Sequence, residues 1–260
     1  MSFVLLVALC LAGAVWYSRE VKKPPAPRAE VKVDPDGWIE RLYSQNPREA
    51  AEAARQLSER GADALPAIRA ALQDPAADRP RRKAALKACS LLGSVAAPAI
   101  EEVAVELEDP DLAAEAGLAL SFMGPAAFTP LREALASDDP VVRRESLRSI
   151  GKLKERAPLE SGDVVPLLLG RIADPDPGVR VVAMTYLGIL HEGGPIVVGS
   201  LVDGLSDSEA DVRRAAASAL GSFGPAAAKA VPALKKAATD TDEDVAREAG
   251  LALVKLQSKK

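Results

Sequence analysis

The sequence predicts an all-α fold: an α-α superhelix, or solenoid, of about six helical hairpins followed by a C-terminal capping helix. Hydrophobic residues make up 48% of the chain but aromatic residues only 3%, so small and aliphatic side chains carry the apolar content. Apolar residues recur at helical spacing, and a valine marks the same register at Val142, Val179, Val212 and Val245. These valines are 37, 33 and 33 residues apart. Periods of this length are typical of stacked structural repeats.

The clearest repeat unit begins with the run DVRRAAASALGSFG. In this run Val212, Ala216 and Leu220 fall on one face of a helix. Gly224 and Pro225 then end that helix and begin a second one, which has its own apolar stripe. The unit is therefore predicted to be a helical hairpin.

A proline followed closely by aliphatic residues marks the second helix of each hairpin. Proline is tolerated there because the first turn of a helix has no internal hydrogen bond to lose. Six such prolines predict six hairpins: Pro66, Pro98, Pro130, Pro166, Pro195 and Pro232. A leucine-type residue closes each first helix and also an unpaired seventh helix: Leu57, Leu92, Leu120, Ile150, Leu187, Leu220 and Leu253. The seventh helix is expected to give the stack a polar end through Arg247, Glu248 and Lys255.

Three parts are expected along the chain: a hydrophobic membrane anchor or signal peptide over residues 1–18, a Pro-rich charged linker over 19–37, and a repeat domain over 38–258. Residues 3–17 carry no charge. A helix of this length is about 22 Å long, which is short against a hydrocarbon core of about 30 Å. The segment can therefore span a bilayer only marginally.

The charges around this segment favour an uncleaved anchor over a signal peptide. No basic residue precedes the segment, whereas Arg19, Lys22 and Lys23 follow it. By the positive-inside rule, the protein is then a single-pass membrane protein with its body in the cytoplasm. The alternative is cleavage near Ala12–Ala14, which would leave the body exported or periplasmic.

An acidic turn followed by Val-Arg, small residues and Leu-Gly resembles the HEAT repeat family, especially its short bacterial form, known as HEAT-like or PBS-lyase HEAT-like repeats. The motif occurs at Asp174 and again at Asp207, and the resemblance covers most of residues 38–257. It implies a ladder of Asp–Arg pairs between adjacent repeats. The residues that match the ladder are Asp174, Arg180, Asp207, Arg213 and Arg143, while Ser137 stands where the aspartate before Arg143 is expected.

The sequence contains no convincing catalytic, metal or cofactor site. His191 is the only histidine, and its place near the end of a first helix predicts a helix-end residue. Cys89 lies on a small-residue helix face, where a buried thiol is inert. The clustered aspartates around Asp176 and Asp242 are better explained as helix N-caps than as calcium ligands. The protein is therefore predicted not to be an enzyme and to use no cofactor.

The expected function is binding through surface shape and charge. In the HEAT family the second helices line the concave face, and here they change from acidic in the second repeat to basic in the sixth. The candidate partner-binding residues are Glu101, Glu102, Arg132, Arg171, Val198, Lys229, Lys235 and Lys236. The expected partners are an unknown protein or peptide and, through residues 3–17, the lipid bilayer. A net charge of -4 argues against nucleic acid, and no small-molecule substrate is expected.

Three functional hypotheses follow from these patterns. The leading one is a membrane-tethered, non-catalytic scaffold or adaptor for protein–protein interaction. The alternative is a lyase-type HEAT-repeat enzyme or chaperone that acts on a phycobiliprotein-like substrate, since some lyases of that kind resemble the same repeats. A HEAT-like enzyme acting on nucleic acid is the third, and the acidic body and scarce aromatic residues oppose it.

Overall fold

The computed structural model describes residues 35–42, 44–159 and 161–257, and within these ranges the chain forms only helices and turns. The all-α fold predicted from the sequence is confirmed. The predicted anchor over residues 1–18 and residues 19–34 of the predicted linker lie outside the described residues.

Six helical hairpins follow one another in chain order, as the six prolines predict. We call the two helices of each hairpin its first and second helix. The hairpins are α2 (Pro47–Arg60) with α3 (Leu65–Gln73), α4 (Arg79–Leu92) with α5 (Ile100–Leu107), α6 (Ala113–Met123) with α7 (Phe128–Glu133), α8 (Pro140–Arg156) with α9 (Ser161–Leu169), α10 (Pro177–Leu190) with α11 (Gly194–Gly204), and α12 (Ala210–Phe223) with α13 (Val231–Ala237). An unpaired helix, α14 (Glu243–Gln257), follows them.

A short helix, α1 (Pro35–Arg41), precedes the first hairpin. It includes residues 35–37, which the sequence predicts to be part of the linker. Trp38, Ile39 and Leu42 are at most 3% exposed, because α1 and the residue after it pack against α2, α3 and α4. Helix α1 is therefore packed against the first two hairpins.

The hairpins stack because each first helix buries one face against the first helix of the next hairpin. The four valines that mark the repeat period are all fully buried. The backbones of neighbouring helices approach closely where one helix carries glycine. A Cβ atom on Gly188 of α10 would lie 2.6 Å from Cα of Ala219 in α12, and a Cβ on Gly221 would lie 3.1 Å from Cα of Ala252 in α14. Glycine at these positions allows near-contact between neighbouring backbones.

The second repeat differs from the predicted register by three residues. First helices α2, α4, α6 and α12 are each followed by a glycine with positive φ, and in α4 this is Gly93. The residue four positions before that glycine is Leu57, Leu120 or Leu220 in the other three helices, but Cys89 in α4. Cys89 is fully buried. The core position assigned to Leu92 is thus filled by Cys89.

The two ends of the repeat stack differ, because the C-terminal helix exposes apolar residues beside the predicted charged ones. Helix α2, at the N-terminal end, buries only Ala53 and Leu57, and its surface carries ion pairs such as that between Arg55 and Glu52. Helix α14 does expose Arg247 and Lys255, but Leu251 and Val254 beside them are 49% and 64% exposed. No further described hairpin packs on this face, so its apolar residues stay at the surface.

Within the described residues, one stretch is long and apolar enough to cross a membrane by length and composition, Arg79–Leu107. This stretch is not a single straight helix. It contains α4 and α5, which Gly93 with a φ of 58° separates, and the two helices form the second hairpin. Its hydropathy reflects packing between repeats.

Candidate binding surface

A ladder of arginines and aspartates links the turns between successive hairpins. Arg143 donates two hydrogen bonds to the carboxylate of Asp174, from Nε at 3.0 Å and from Nη2 at 2.8 Å. Arg180 forms the same bidentate pair of hydrogen bonds with Asp207, from Nε at 2.9 Å and from Nη2 at 2.8 Å. Arg213 forms it with Asp240, from Nε at 2.8 Å and from Nη2 at 2.9 Å. A planar guanidinium fits a carboxylate in this geometry.

Each ladder arginine also donates hydrogen bonds to the turn that precedes its own helix. Nη1 of Arg213 donates to the backbone carbonyls of Asp207 and Ser208, both at 3.0 Å. Arg143 and Arg180 make the equivalent pairs of bonds to their own turns. Each arginine therefore joins two consecutive turns.

The ladder aspartates are preorganised to accept these bonds. Asp174, Asp207 and Asp240 each accept a hydrogen bond from the backbone N–H two residues further on. Ser137, which replaces the aspartate before Arg143, accepts the same backbone bond through Oγ at 3.3 Å. The serine thus keeps the turn but provides no carboxylate.

Three ladder members were not recognised in the sequence: Asp240, Arg82 and Glu106. Asp240 belongs to the cluster interpreted as N-caps, yet it is the acceptor for Arg213. In the second repeat, Arg82 binds both carboxylate oxygens of Glu106, at 2.9 and 3.2 Å, and Glu106 is 3% exposed. This glutamate lies inside a helix, so the turn motif could not reveal it.

The ladder keeps its carboxylates ionised. Burial raises the pKa of Asp174, but the hydrogen bonds from Arg143 and from the backbone N–H of Asp176 outweigh it, so the pKa lies below the ordinary value. Asp207 has the same balance with Arg180. For Asp240 the hydrogen bond from Arg213 is the largest cause and lowers the pKa. The ladder is therefore a charged structural element and not a proton donor.

Open grooves separate neighbouring second helices. The groove between α11 and α13 has a volume of about 790 Å³ and is lined by Asp203, Ser206, Lys236 and Thr239, with the Arg213–Asp240 pair among its lining. A second groove, of about 500 Å³, lies between α3 and the segment before α5, where Arg69 and Gln73 line it. The second helices thus present recesses wide enough for side chains of a partner.

The acidic end of this surface lies on α5. Glu101 and Glu108 are exposed, and neither forms an ion pair with a described residue. Glu102 is different, because it accepts hydrogen bonds from Nε of Arg69 and Nε2 of Gln73, both at 2.7 Å. Glu102 joins the first two repeats, whereas Glu101 is available to a partner.

The basic end lies on α13 and on the turn before it. Lys229, Lys235 and Lys236 are exposed and form no ion pair with any residue in the described ranges. Lys236 also lines the groove between α11 and α13. These three lysines are therefore available to bind an anionic partner.

The candidates in the middle of the surface have different surroundings. Arg132 is exposed and its guanidinium lies 5.9 Å from the Phe128 ring centroid. Arg171 is half-buried and donates to the carbonyl of Leu135 at 2.8 Å, so it ties the third repeat to the fourth. Val198 is only 7% exposed, so it offers little surface to a partner. Its neighbour Ile196 is 71% exposed instead.

Cys89 and His191 take the structural positions that the sequence predicts for them. Burial raises the pKa of the Cys89 thiol to about 12, so the thiolate is scarcely populated at neutral pH. His191 ends α10 with a left-handed backbone, and its ring lies edge-on to Phe223 at 5.5 Å. In the ranges that the structure covers, no group of three or more His, Cys, Asp or Glu side chains could hold a metal ion.

Comparisons with known proteins agree with this architecture. The family model for HEAT repeats matches residues 128–221 and 198–260. The crystal structure of Kap121p superposes with a TM-score of 0.60 and 15% identity over 80% of this chain and 27% of Kap121p. The E. coli protein YibA gives a TM-score of 0.52 and 15% identity over 85% of this chain and 80% of YibA.

A designed armadillo repeat protein in complex with the peptide (KR)4 gives a TM-score of 0.44 and 21% identity over 85% of this chain and 98% of the designed one. No curated protein matches the sequence. At these identities the solved structures show the fold alone.

Proposed function

The chain belongs to the HEAT repeat family, and from that premise we propose that it is a non-catalytic scaffold that binds a protein or peptide along its second helices. We also propose that residues 3–17 tether it to a membrane. HEAT repeats leave an extended surface that typically serves binding. One observation carries the proposal. Exposed charges of opposite sign, none of them paired with a described residue, lie on or next to the second helices of the second and sixth hairpins, at Glu101 and Glu108 and at Lys235 and Lys236.

The spacing of these charges suggests the size of the partner segment. The acidic and basic ends are four repeats apart, and packed helices are about 8–10 Å apart, so the ends are separated by about 32–40 Å. An extended peptide rises about 3.3 Å per residue. The surface therefore suits an extended segment of roughly ten to twelve residues, with a basic end facing α5 and an acidic end facing α13.

A polarity test examines this surface directly. Full-length protein in mild detergent is titrated into fluorescent twelve-residue peptides that carry lysines at one end and glutamates at the other. We expect the double charge reversal Lys235→Glu/Lys236→Glu to weaken binding roughly tenfold at low salt, because two exposed attractions become repulsions. The matched control is Arg48→Glu, an exposed charge reversal on the first helix α2. Equal affinity for the wild type and the double variant would falsify binding along this face.

The tether is tested separately, by extraction of native membranes with alkaline carbonate. An uncleaved anchor keeps the full-length protein in the membrane pellet, and a variant that lacks residues 1–18 moves to the supernatant. Recovery of a soluble protein whose N-terminus begins after Ala14 contradicts the tether and favours the exported alternative.

A further inference from the structure

Ion pairs between described residues hold five of the six joints of the stack. We number each joint by the hairpin that precedes it, so the sixth lies between the last hairpin and α14. Arg69 of α3 binds Glu102 of α5 across the first joint, and Lys83 of α4 binds Glu115 of α6 across the second. The three ladder pairs described above connect the fourth, fifth and sixth joints. Partly buried ion pairs are screened less than exposed ones, so these contacts hold consecutive hairpins together.

The third joint lacks both members of the ladder pair. Leu112 of the third hairpin is fully buried, as Val142 is in the fourth. Arg143 follows Val142, but the residue after Leu112 is Ala113. Ser137 takes the place of the ladder aspartate in the turn before the fourth hairpin. Neither the guanidinium nor the carboxylate of the pair is therefore present at this joint.

Other charged residues of these two hairpins do not replace the missing pair. Glu115 of α6 binds Lys83 of the preceding hairpin, and Glu145 of α8 pairs with Arg144 and Arg148 of its own helix. Within the described ranges, no ion pair connects the third hairpin to the fourth. The third joint therefore differs in kind from the other five.

Contacts to neutral groups connect the third joint instead. Nη2 of Arg171, which follows α9, donates to the carbonyl oxygen of Leu135 at 2.8 Å. The guanidinium of the exposed Arg156 lies 4.4 Å from the ring centroid of Phe122. A cation–π contact at an exposed site is weak. Neither contact has the bidentate geometry by which a ladder arginine fixes the angle of its carboxylate.

The first helices approach each other closely at the same joint. A Cβ atom on Gly117 of α6 would lie 2.5 Å from Oγ of Ser149 in α8 and 3.3 Å from the carbonyl oxygen of Glu145. Close packing of this kind resists separation of the two helices. Rotation about this contact is the motion that breaks the fewest interactions, because the turns and second helices beside it carry no ion pair between described residues.

We propose that the third joint is a hinge. The first three hairpins form one rigid half and the last three, with α14, form the other, because ion pairs hold the joints within each half. Rotation about the contact between α6 and α8 moves the second helices α7 and α9 relative to each other. It also changes the distance between α5 and α13, which carry the two charged ends of the proposed binding surface. The hinge goes beyond the proposed function and does not depend on it.

Distances between spin labels, measured by pulsed electron paramagnetic resonance, test the hinge. Glu133→Cys with Ile196→Cys spans the third and fourth joints, and Asp163→Cys with Lys235→Cys is the matched pair across the fourth and fifth. All four positions are exposed and lie on second helices. We expect the distance distribution of the first pair to be at least twice as wide as that of the matched pair. Equal widths would overturn the proposal.

These measurements use the full-length protein in mild detergent. A Cys10→Ser background removes one native thiol, and the other, Cys89, is fully buried and so protected from the label. Circular dichroism shows which labelled variants fold.

Restoring the missing pair tests the cause of the motion. Ala113→Arg/Ser137→Asp is expected to narrow the distribution of the hinge-spanning pair to the width of the matched pair. Arg180→Ala, which breaks the pair at the fifth joint, is expected to widen the matched pair, and this variant decides the question if the double variant does not fold. A folded double variant that stays wide, or an Arg180→Ala variant that stays narrow, would show that ion pairs do not set the stiffness of the joints and would overturn the proposal.

Discussion

At the scale of single residues, the ladder arginines determine how consecutive turns are joined. Arg213 contacts the carboxylate of Asp240 ahead of it and the carbonyls of Asp207 and Ser208 behind it. A lysine could make only some of these hydrogen bonds, because it lacks the planar guanidinium group with its several N–H donors. The side chain is 16% exposed, so water replaces these bonds poorly if they are lost.

We expect Arg213→Ala to lower the free energy of unfolding by about 2 to 3 kcal/mol, since several hydrogen bonds are lost and a half-buried carboxylate is left without its partner. Its sequence neighbour gives a matched control. Arg214 is 47% exposed and pairs with Asp211 and Asp244, so Arg214→Ala should cost less than about 1 kcal/mol. Urea unfolding followed by circular dichroism measures both values. Equal losses for the two variants would mean that the ladder contributes no more than a surface ion pair.

At this scale the sequence predicted part of the site. The Val-Arg motif identified Arg143, Arg180 and Arg213, because the motif is local and continuous. It did not identify Glu106 as a ladder acceptor, because that glutamate lies 24 residues from Arg82 and within a helix. Pairing across such a distance depends on how the hairpin closes, and no short motif records it.

At the scale of helices, how closely two neighbouring helices pack depends on which position carries glycine. Gly188 lies at the interface of α10 with α12, whereas Gly199 lies in the middle of α11, where a Cβ atom would have no neighbour within 4 Å. Both glycines are helical. Their different surroundings separate the packing role of glycine from its low helix propensity.

Gly188→Ala is expected to destabilise the protein by about 1 to 3 kcal/mol, because the new methyl would lie 2.6 Å from Ala219 and the helices would have to move apart. Gly199→Ala is expected to stabilise the protein by up to about 1 kcal/mol through helix propensity. Thermal melts of the two variants beside the wild type provide the measurement. A Gly188→Ala variant at least as stable as the wild type would show that packing at Gly188 does not limit the stack.

The burial of individual residues in α11 could not be predicted from the helix pattern. The apolar run of α11 is compatible with a buried helix and with an apolar binding patch. The structure buries Val197 and Val198 and exposes Ile196. Periodicity alone could not separate these residues, because the helix contacts its own first helix on one side and a neighbouring repeat on another.

At the scale of the whole domain, the superhelix arises from contacts between neighbouring hairpins. The period of 33 to 37 residues and the six prolines were sufficient to predict six hairpins and a final helix. They were not sufficient to predict α1 or the different character of the two ends. These features depend on which surfaces are left uncovered after stacking, and the repeat period carries no information about that.

The equal spacing of Val179, Val212 and Val245 has an evolutionary consequence. Because the joints at Gly188 and Gly221 are alike, an in-frame duplication of one 33-residue cassette would meet compatible surfaces on both sides. A lineage could thus lengthen or shorten this protein in whole steps without redesigning its core. Each added cassette would extend the reach of the second-helix face and so change the length of segment that it can recognise.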